Sequence, residues 1–290
     1  TLSMLRIGMM TETIYRYAGM KGALKLIKDL GFECADVTMQ VEGHACKMVS
    51  YFNGKDYKKR AQSLKAYADK IKLPLVQSHA TFPSYKDGNI RYNRAEWKKL
   101  VKAIEICGIL EIKNLVIHPL NDFDTKDNIK FYEKLLPYAR KANVTICVEN
   151  MWRWNKEENH IKPCSCSFSD SFNAIIDGMN TRYVKACVDI GHAEMFKCMN
   201  YSARKMLEEM NNRVVCLHIH DNDQFKDKHW IPFKGKIDYK DVVRGLKKIN
   251  YRYDLIAEVS IPSEIDTYEK RLKYWREIYQ AMKKFRTMMK

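Results

Sequence analysis

The heptapeptide VTICVEN (residues 144–150) has the pattern of a short, buried β-strand that ends in an acid. Side chains alternate between the two faces of a strand, so the branched side chains of Val144, Ile146 and Val148 share one face. Such a face packs well beneath helices, as in parallel sheets that are covered on both sides. Glu149 points to the opposite face, at the carboxyl end of the strand.

The same pattern recurs further along the chain. VKACVDI (184–190) separates its aliphatic set from Asp189, and LIAEVS (255–260) separates its aliphatic set from Glu258. Each acid therefore faces away from the helix-covered side of its strand.

Eight segments of this kind alternate with amphipathic stretches of helical period. Strand ends recur at intervals of roughly 30 to 40 residues, which is the length of one β/α unit. We therefore predict an α/β fold in which residues 1–290 form a single (β/α)8 TIM barrel domain. A doubly wound open sheet is the alternative, but the first strand is not followed by a glycine-rich phosphate-binding turn. The predicted strands are residues 5–10, 34–39, 74–80, 114–119, 144–150, 184–190, 214–220 and 255–260.

Composition limits the class of protein. The 290 residues are 46% hydrophobic, enough for a large core, and no apolar run reaches the roughly 18 to 20 residues that span a bilayer. The nine cysteines are scattered without zinc-finger spacing, so we expect reduced thiols and a cytoplasmic protein. The net charge of +16 comes mostly from dispersed lysines, which favours a solvated surface; nucleic acid is the less favoured partner but stays open, as does a homo-oligomer.

Ligand-type residues end six consecutive predicted strands. In a TIM barrel these positions meet at the catalytic face. Carboxylates that converge on an apolar barrel repel one another unless a cation neutralises them, so we expect a divalent metal. Mixed imidazole and carboxylate donors suit zinc or manganese, with magnesium and cobalt as further options. The six residues are His79, His118, Glu149, Asp189, His220 and Glu258.

These residues also carry a family resemblance. The series SHA, IHP, VEN, VDIGH, HDND, DKH and AEV resembles the xylose isomerase-like TIM barrels, a superfamily that contains sugar isomerases and epimerases together with endonuclease IV. Resemblance to the ketose 3-epimerase branch implies one metal held by four residues and a proton exchange performed by the two glutamates. It also implies that His192 hydrogen-bonds a substrate oxygen. The four implied ligands are Glu149, Asp189, His220 and Glu258.

Resemblance to the endonuclease IV branch implies a different site, with three zinc ions and phosphodiester cleavage. All nine implied ligand positions are present, so this alternative stays open, as do a keto-inositol-type dehydratase and a metal-binding barrel without turnover. The nine are His79, His118, Glu149, Asp189, His192, His220, Asp227, His229 and Glu258. In a mononuclear enzyme we interpret His79, His118, Asp227 and His229 as substrate-binding groups or as groups that orient the ligands.

The loops favour a small substrate. Trp152, Arg153 and Trp154 follow the fifth strand and predict a lid over a sugar, sugar phosphate or related polyol. Phe233 stands where such relatives often have glycine, so we expect it to narrow the pocket.

LHIHDND (217–223) places His218 and His220 on the same face of one strand. We predict that His220, at the strand end, is the metal ligand and that His218 supports it from one layer deeper.

Overall fold

The computed structural model describes residues 5–290, and eight parallel strands form its central sheet. They are β1 (Ile7–Met10), β2 (Cys34–Thr38), β5 (Leu75–His79), β6 (Asn114–Val116), β7 (Thr145–Glu149), β10 (Val184–Asp189), β11 (Val214–His218) and β12 (Leu255–Ala257). Two antiparallel hairpins stand apart from this sheet: β3 (Gln40–Val41) with β4 (His44–Met48), and β8 (Arg153–Asn155) with β9 (His160–Lys162).

Helices follow the strands and cover the outside of the sheet. They are α1 (Glu12–Leu30), α2 (Ser50–Asn53), α3 (Tyr57–Lys70), α4 (Ile90–Leu110), α5 (Thr125–Ala142), α6 (Ser169–Met179), α7 (Ile190–Glu194), α8 (Ala203–Met210), α9 (Tyr239–Lys248) and α10 (Tyr268–Met288). Among residues 5–290, none of these helices combines the length and the apolar character needed to cross a lipid bilayer.

The strand order β11-β10-β7-β6-β5-β2-β1-β12 brings the two outermost strands together. No extended ladder joins β11 to β12 in the part of the chain described; a single parallel bridge pairs Ile219 with Ala257. Two backbone hydrogen bonds form this seam, from the Ile219 N–H to the Ile256 carbonyl (2.9 Å) and from the Glu258 N–H to the Ile219 carbonyl (3.0 Å). The sheet is therefore a nearly closed TIM barrel, as predicted.

Strand alternation divides the core into an outer and an inner layer. Ile146 and Val148 belong to the large cluster between strands and helices. Inside the barrel, Cys147, Cys187 and Cys216 form a separate buried cluster with Val116 and Val215. Each of these three thiols lies two residues before a ligand-type residue on the same strand. The predicted inward orientation of the acids follows from this arrangement.

All eight predicted strands are present, although several are shorter than their apolar runs. The run 214–220 ends as a strand at His218, and the run 255–260 ends at Ala257. Beyond these strand ends, backbone pairing between the two segments continues at the Ile219–Ala257 bridge, and the side chains of His220 and Glu258 lie at the catalytic face.

Candidate active site

A central cluster of three carboxylates and one imidazole lies at the carboxyl ends of β7, β10, β11 and β12. Donor atoms of Glu149, Asp189, His218 and Glu258 all lie within 4.8 Å of one another. The Nδ1 atom of His218 lies 2.9 Å from Glu149 Oε1, 3.1 Å from Glu258 Oε2 and 3.7 Å from Asp189 Oδ2. One ring nitrogen therefore faces all three acids at the floor of the barrel mouth.

A second cluster shares Glu149 with the first. The Nε2 atom of His118 lies 2.8 Å from Glu149 Oε2, and the Nε2 atom of His79 lies 3.3 Å from the same oxygen. The two Nε2 atoms lie 3.1 Å apart. Donor atoms around a tetrahedral zinc are separated by roughly 3.3 Å, so the spacing fits a metal site.

A third cluster lies on the opposite flank and consists of His192, His220, Asp227 and His229. Asp227 Oδ2 lies 3.1 Å from His192 Nε2 and 3.0 Å from His229 Nε2. The rings of His220 and His229 stack with centroids 3.9 Å apart. His220 connects this cluster to the central one, since its Nε2 lies 2.7 Å from Asp189 Oδ1.

The hydrogen bonds of three histidines determine which ring nitrogen faces each cluster. Nδ1 lies 2.7 Å from the Ala80 carbonyl in His79, 2.7 Å from the Asn150 carbonyl in His192 and 3.0 Å from the Glu258 carbonyl in His229. A carbonyl can only accept, so each Nδ1 carries the proton, and in the neutral ring Nε2 presents a lone pair to its cluster. This is the arrangement that orients histidine ligands in metal sites.

Unpaired oxygens support the same interpretation. Asp189 Oδ2 and Asp227 Oδ1 are buried and have no hydrogen-bond partner among the described residues. Buried carboxylate oxygens without a partner are costly unless a cation satisfies them. The donor set therefore fits divalent metal ions, with the carboxylate-rich central cluster and the two histidine-rich flanks as the places to hold them.

The structure arranges the histidine pair differently from the sequence prediction. It places His218, rather than His220, among the three carboxylates, while His220 contacts only the Asp189 carboxylate and joins the third cluster. The remaining predicted ligands, Glu149, Asp189 and Glu258, lie together as expected. The sequence analysis had assigned His218 to a supporting layer, whereas the structure places its Nδ1 atom in the carboxylate cluster.

Electrostatics separate the two glutamates. Burial alone would raise the pKa of Glu149, but His218 and His118 hold it well below its usual value. Burial raises the pKa of Glu258 to about 8, because His218 and His229 offset the desolvation only in part. Two carboxyl groups in one site thus favour opposite protonation states, an arrangement suited to acid–base chemistry.

A pocket of about 610 Å³ lies above the clusters. The predicted lid residues Trp152, Arg153 and Trp154 all line it, and the last two belong to the β8–β9 hairpin. Trp152 approaches the His192 ring edge-on, and Arg153 forms a bidentate ion pair with Asp122. The pocket is within the size range of small-molecule sites.

Phe233 does not line this pocket, so the prediction that it narrows the site is wrong. Its ring packs against Tyr239 and lies beneath the Lys284 ammonium group. Its backbone φ of 73° is the left-handed conformation that glycine adopts freely. The backbone N–H of Phe233 donates to Asp221 Oδ2, a contact that helps to hold this turn.

Other polar residues of the site were absent from the sequence prediction. Glu12 and Gln40 line the pocket on the side of β1 and β2, and burial raises the pKa of Glu12. Asn150 exchanges two hydrogen bonds with the Asp189 backbone. Asp36 lies fully buried within the barrel. Of these residues, only Asp36 could have been found from the sequence, because alternation along β2 places its side chain on the same face of the strand as that of Cys34.

Residues 24–285 match the family described as xylose isomerase-like TIM barrel. Uncharacterized protein y4fM of Sinorhizobium fredii (strain NBRC 101917 / NGR234) is 28% identical over 199 residues, which cover 64% of this chain and 59% of that protein. Uncharacterized protein MJ1614 of Methanocaldococcus jannaschii is 27% identical over 154 residues, covering 51% and 55%. The chain thus matches less than two thirds of the length of either relative.

Solved structures share the fold at low sequence identity. A D-tagatose 3-epimerase-like protein superposes with a TM-score of 0.73 at 17% identity, covering 98% of both chains. The 3-keto-D-glucoside 4-epimerase YcjR from E. coli and a D-psicose 3-epimerase each give 0.71 at 14% identity, covering 98% of this chain and 99% of theirs. At these identities the likeness establishes the fold alone. The family match extends over most of the chain, which therefore belongs to the xylose isomerase-like TIM barrel family.

Proposed function

We propose that the protein is a divalent-metal-dependent isomerase or epimerase of a small sugar or related polyol. The observation that carries this proposal is the placement of Glu149 and Glu258 against the same nitrogen of His218 at the floor of the pocket. Two carboxyl groups that reach one bound substrate from different strands can remove a proton from carbon and return one.

Glu149, Asp189, His218 and Glu258 would hold the metal in this proposal. A bound divalent cation would polarise a substrate carbonyl and its neighbouring hydroxyl, which acidifies the C–H bond between them. The donor set of three carboxylates and one imidazole suits manganese, zinc, magnesium or cobalt. The sequence-based alternative has His220 as the fourth ligand.

The chain's own residues then divide the proton transfer. Glu149 would accept the proton from carbon, and Glu258, which lies on a different strand, would return one. The indole rings of Trp152 and Trp154 line the pocket and would form an apolar wall beside the substrate.

The pocket lining favours a substrate without a phosphate group. Arg153 is the one lysine or arginine among the residues that line it, and its guanidinium already pairs with Asp122. Lys226, Lys228 and Lys234, the other cations near the mouth in sequence, are not part of the lining. Glu12, Gln40 and Ser260 instead offer hydrogen bonds to hydroxyl groups.

The test is proton exchange in deuterated solvent. The Mn²⁺-loaded protein, incubated with a panel of free ketoses and aldoses, is expected to incorporate deuterium at a carbon next to the carbonyl and to form an isomer or epimer. Glu149→Gln and Glu258→Gln should each abolish incorporation, whereas Glu264→Gln, an exposed glutamate, should not. Near-normal exchange in both site variants would contradict the proposal, and a product that has lost water would identify a dehydratase instead.

Phosphodiester cleavage is the second candidate, because all nine residues implied by endonuclease IV contribute to the three donor clusters. Zinc-loaded protein would then contain three metal ions per chain and cleave duplex DNA at an abasic site. Against this candidate, the bulky side chains of Trp152 and Trp154 line the pocket and leave less room for a duplex than small residues would. Elemental analysis for zinc combined with the cleavage assay separates the two functions.

A further inference from the structure

A second cavity, separate from the catalytic pocket, lies on the outside of the barrel between the N-terminal halves of α4 and α5. Its volume is about 750 Å³, which is within the range of small-molecule sites. No residue lines both cavities. We call this cavity the α4/α5 groove.

Aromatic side chains form the apolar part of the α4/α5 groove. Tyr85 and Phe123 come from the loops that precede the two helices, and Trp97 and Phe131 come from the helices themselves. Tyr85 is 39% exposed, and its ring meets Phe123 edge-on with centroids 5.4 Å apart. Four partly exposed rings around one cavity offer faces on which a planar ring of a ligand could stack.

The rim of the α4/α5 groove is positively charged. Arg94, Lys98, Lys130 and Lys134 line it, and Asp127 is the one carboxylate in the lining. Among residues 5–290, none of these four cations forms an ion pair within 4.0 Å. Lys99, also in α4, does form one, with Glu96. Unpaired cations beside an apolar cavity favour a ligand with a compact negative charge.

We propose that the α4/α5 groove binds a nucleoside phosphate, with the base stacked among the aromatic rings and the phosphates held by the four cations. A planar ring joined to a phosphate matches both parts of the lining, which an inorganic anion or an apolar molecule alone does not. A second copy of the chain is disfavoured as the occupant, because each copy carries a net charge of +16.

The groove lies next to the catalytic pocket, because neighbouring residues of two loops line one cavity or the other. Ser84 lines the groove while the adjacent Pro83 lines the pocket, and Leu120 and Asn121 divide in the same way. The Ser84 hydroxyl donates to the carbonyl of His118 over 2.7 Å. A ligand in the groove would therefore contact the loop that positions His118, which gives the site a route to influence the catalytic pocket.

Isothermal titration calorimetry of the purified full chain at 150 mM salt tests the proposal with ADP, GDP and UDP as probes. At least one is expected to bind with one site per chain, and the corresponding nucleoside and inorganic pyrophosphate should each bind at least tenfold more weakly. Lys98→Ala/Lys130→Ala and Trp97→Ala should each weaken binding by tenfold or more. The control Lys247→Ala/Lys248→Ala removes the same charge from α9 and should leave binding unchanged.

Several results would overturn the proposal. One is the absence of saturable binding by all three probes up to millimolar concentration. Another is equal weakening in the α4/α5 and α9 variants, which would indicate non-specific attraction to a basic surface. A third is binding that survives the groove variants but is lost in His218→Gln, which would place the nucleotide in the catalytic pocket. A dimer in light scattering that Trp97→Ala dissociates would identify the groove as a protein interface. Circular dichroism confirms that each variant is folded.

Discussion

Replacing the two histidines of LHIHDND one at a time tests which of them holds the central metal. His218 and His220 are equally buried, so His218→Gln and His220→Gln are matched changes in the same environment. The Nδ1 atom of His218 has three carboxylates within 3.7 Å, whereas Nε2 of His220 contacts only Asp189, at 2.7 Å. We therefore expect His218→Gln to remove a metal ligand, and His220→Gln to remove only the group that orients the ligand Asp189.

The expected magnitudes follow from this difference. Loss of a group that orients a ligand costs about 10- to 100-fold in metal affinity. Loss of the ligand itself should cost at least the upper end of that range, about 100-fold or roughly 2.7 kcal/mol. The loss of metal affinity in His220→Gln should be near the lower end of the range, about 10-fold. The affinity of His218→Gln is thus expected to fall at least tenfold below that of His220→Gln.

Mn²⁺ is the appropriate probe, since it prefers the carboxylate-rich central cluster to the histidine-rich flanks. Electron paramagnetic resonance of free Mn²⁺ during titration of the metal-free protein gives the affinity directly. Thermal unfolding of each metal-free variant controls for loss of structure. If His220→Gln lost as much Mn²⁺ affinity as His218→Gln, or more, the assignment of His218 as the ligand would be wrong.

Three further perturbations probe the interior, the turn after β10 and the lid. Burial raises the pKa of Asp36 to about 6, although His218 and His79 oppose this shift. As pH rises, the unfolded chain therefore loses the Asp36 proton at a lower pH than the folded protein does. The free energy of unfolding falls as pH rises from about 4 to about 6. Asp36→Asn should stabilise the metal-free protein at pH 7.5 by up to about 3 kcal/mol in urea unfolding, with no difference below about pH 4, and a destabilised variant at pH 7.5 would contradict this. A Cβ at Gly191 would lie 2.0 Å from Cε1 of His220. Gly191→Ala should therefore destabilise the protein by about 1–3 kcal/mol in thermal unfolding and reduce zinc binding to the third cluster. Unchanged zinc stoichiometry and melting temperature would refute the contact. Trp154→Ala should raise the KM of an identified substrate by about tenfold while kcat changes little, because the indole supplies apolar wall rather than a reacting group; a larger fall in kcat than in affinity would show that the lid takes part in the chemistry.

The sequence allowed the barrel and most of the site to be predicted because both follow from local alternation. In VTICVEN, a period of two separates Val148 from Glu149, and the same rule oriented Asp189 and Glu258. The ends of parallel strands lie at one edge of the sheet, so these acids had to converge.

The depth of each histidine could not be predicted in this way. His218 and His220 share a face, and only the register between strands decides which of them lies level with Asp189. A register shift between Ala186 and Cys187 of β10 pairs Asp189 with His218; without the shift, Asp189 would lie opposite Leu217. Register depends on contacts between segments far apart in the chain, which alternation does not encode. The α4/α5 groove was missed for the same reason, since its two helices meet only in the folded barrel.

The seam of the barrel links its closure to the metal. His218 ends β11 on one side of the single Ile219–Ala257 bridge, and Glu258 follows β12 on the other. An ion that contacts both residues would hold the two edges together, so metal occupancy and local opening of the barrel form one coupled equilibrium. Removal of the ion by a chelator should then accelerate hydrogen exchange at the Ile219 and Glu258 amides before it does so in the β2–β5 ladder. Loss of the metal ion would then increase local opening at the β11–β12 seam rather than destabilise the whole barrel equally.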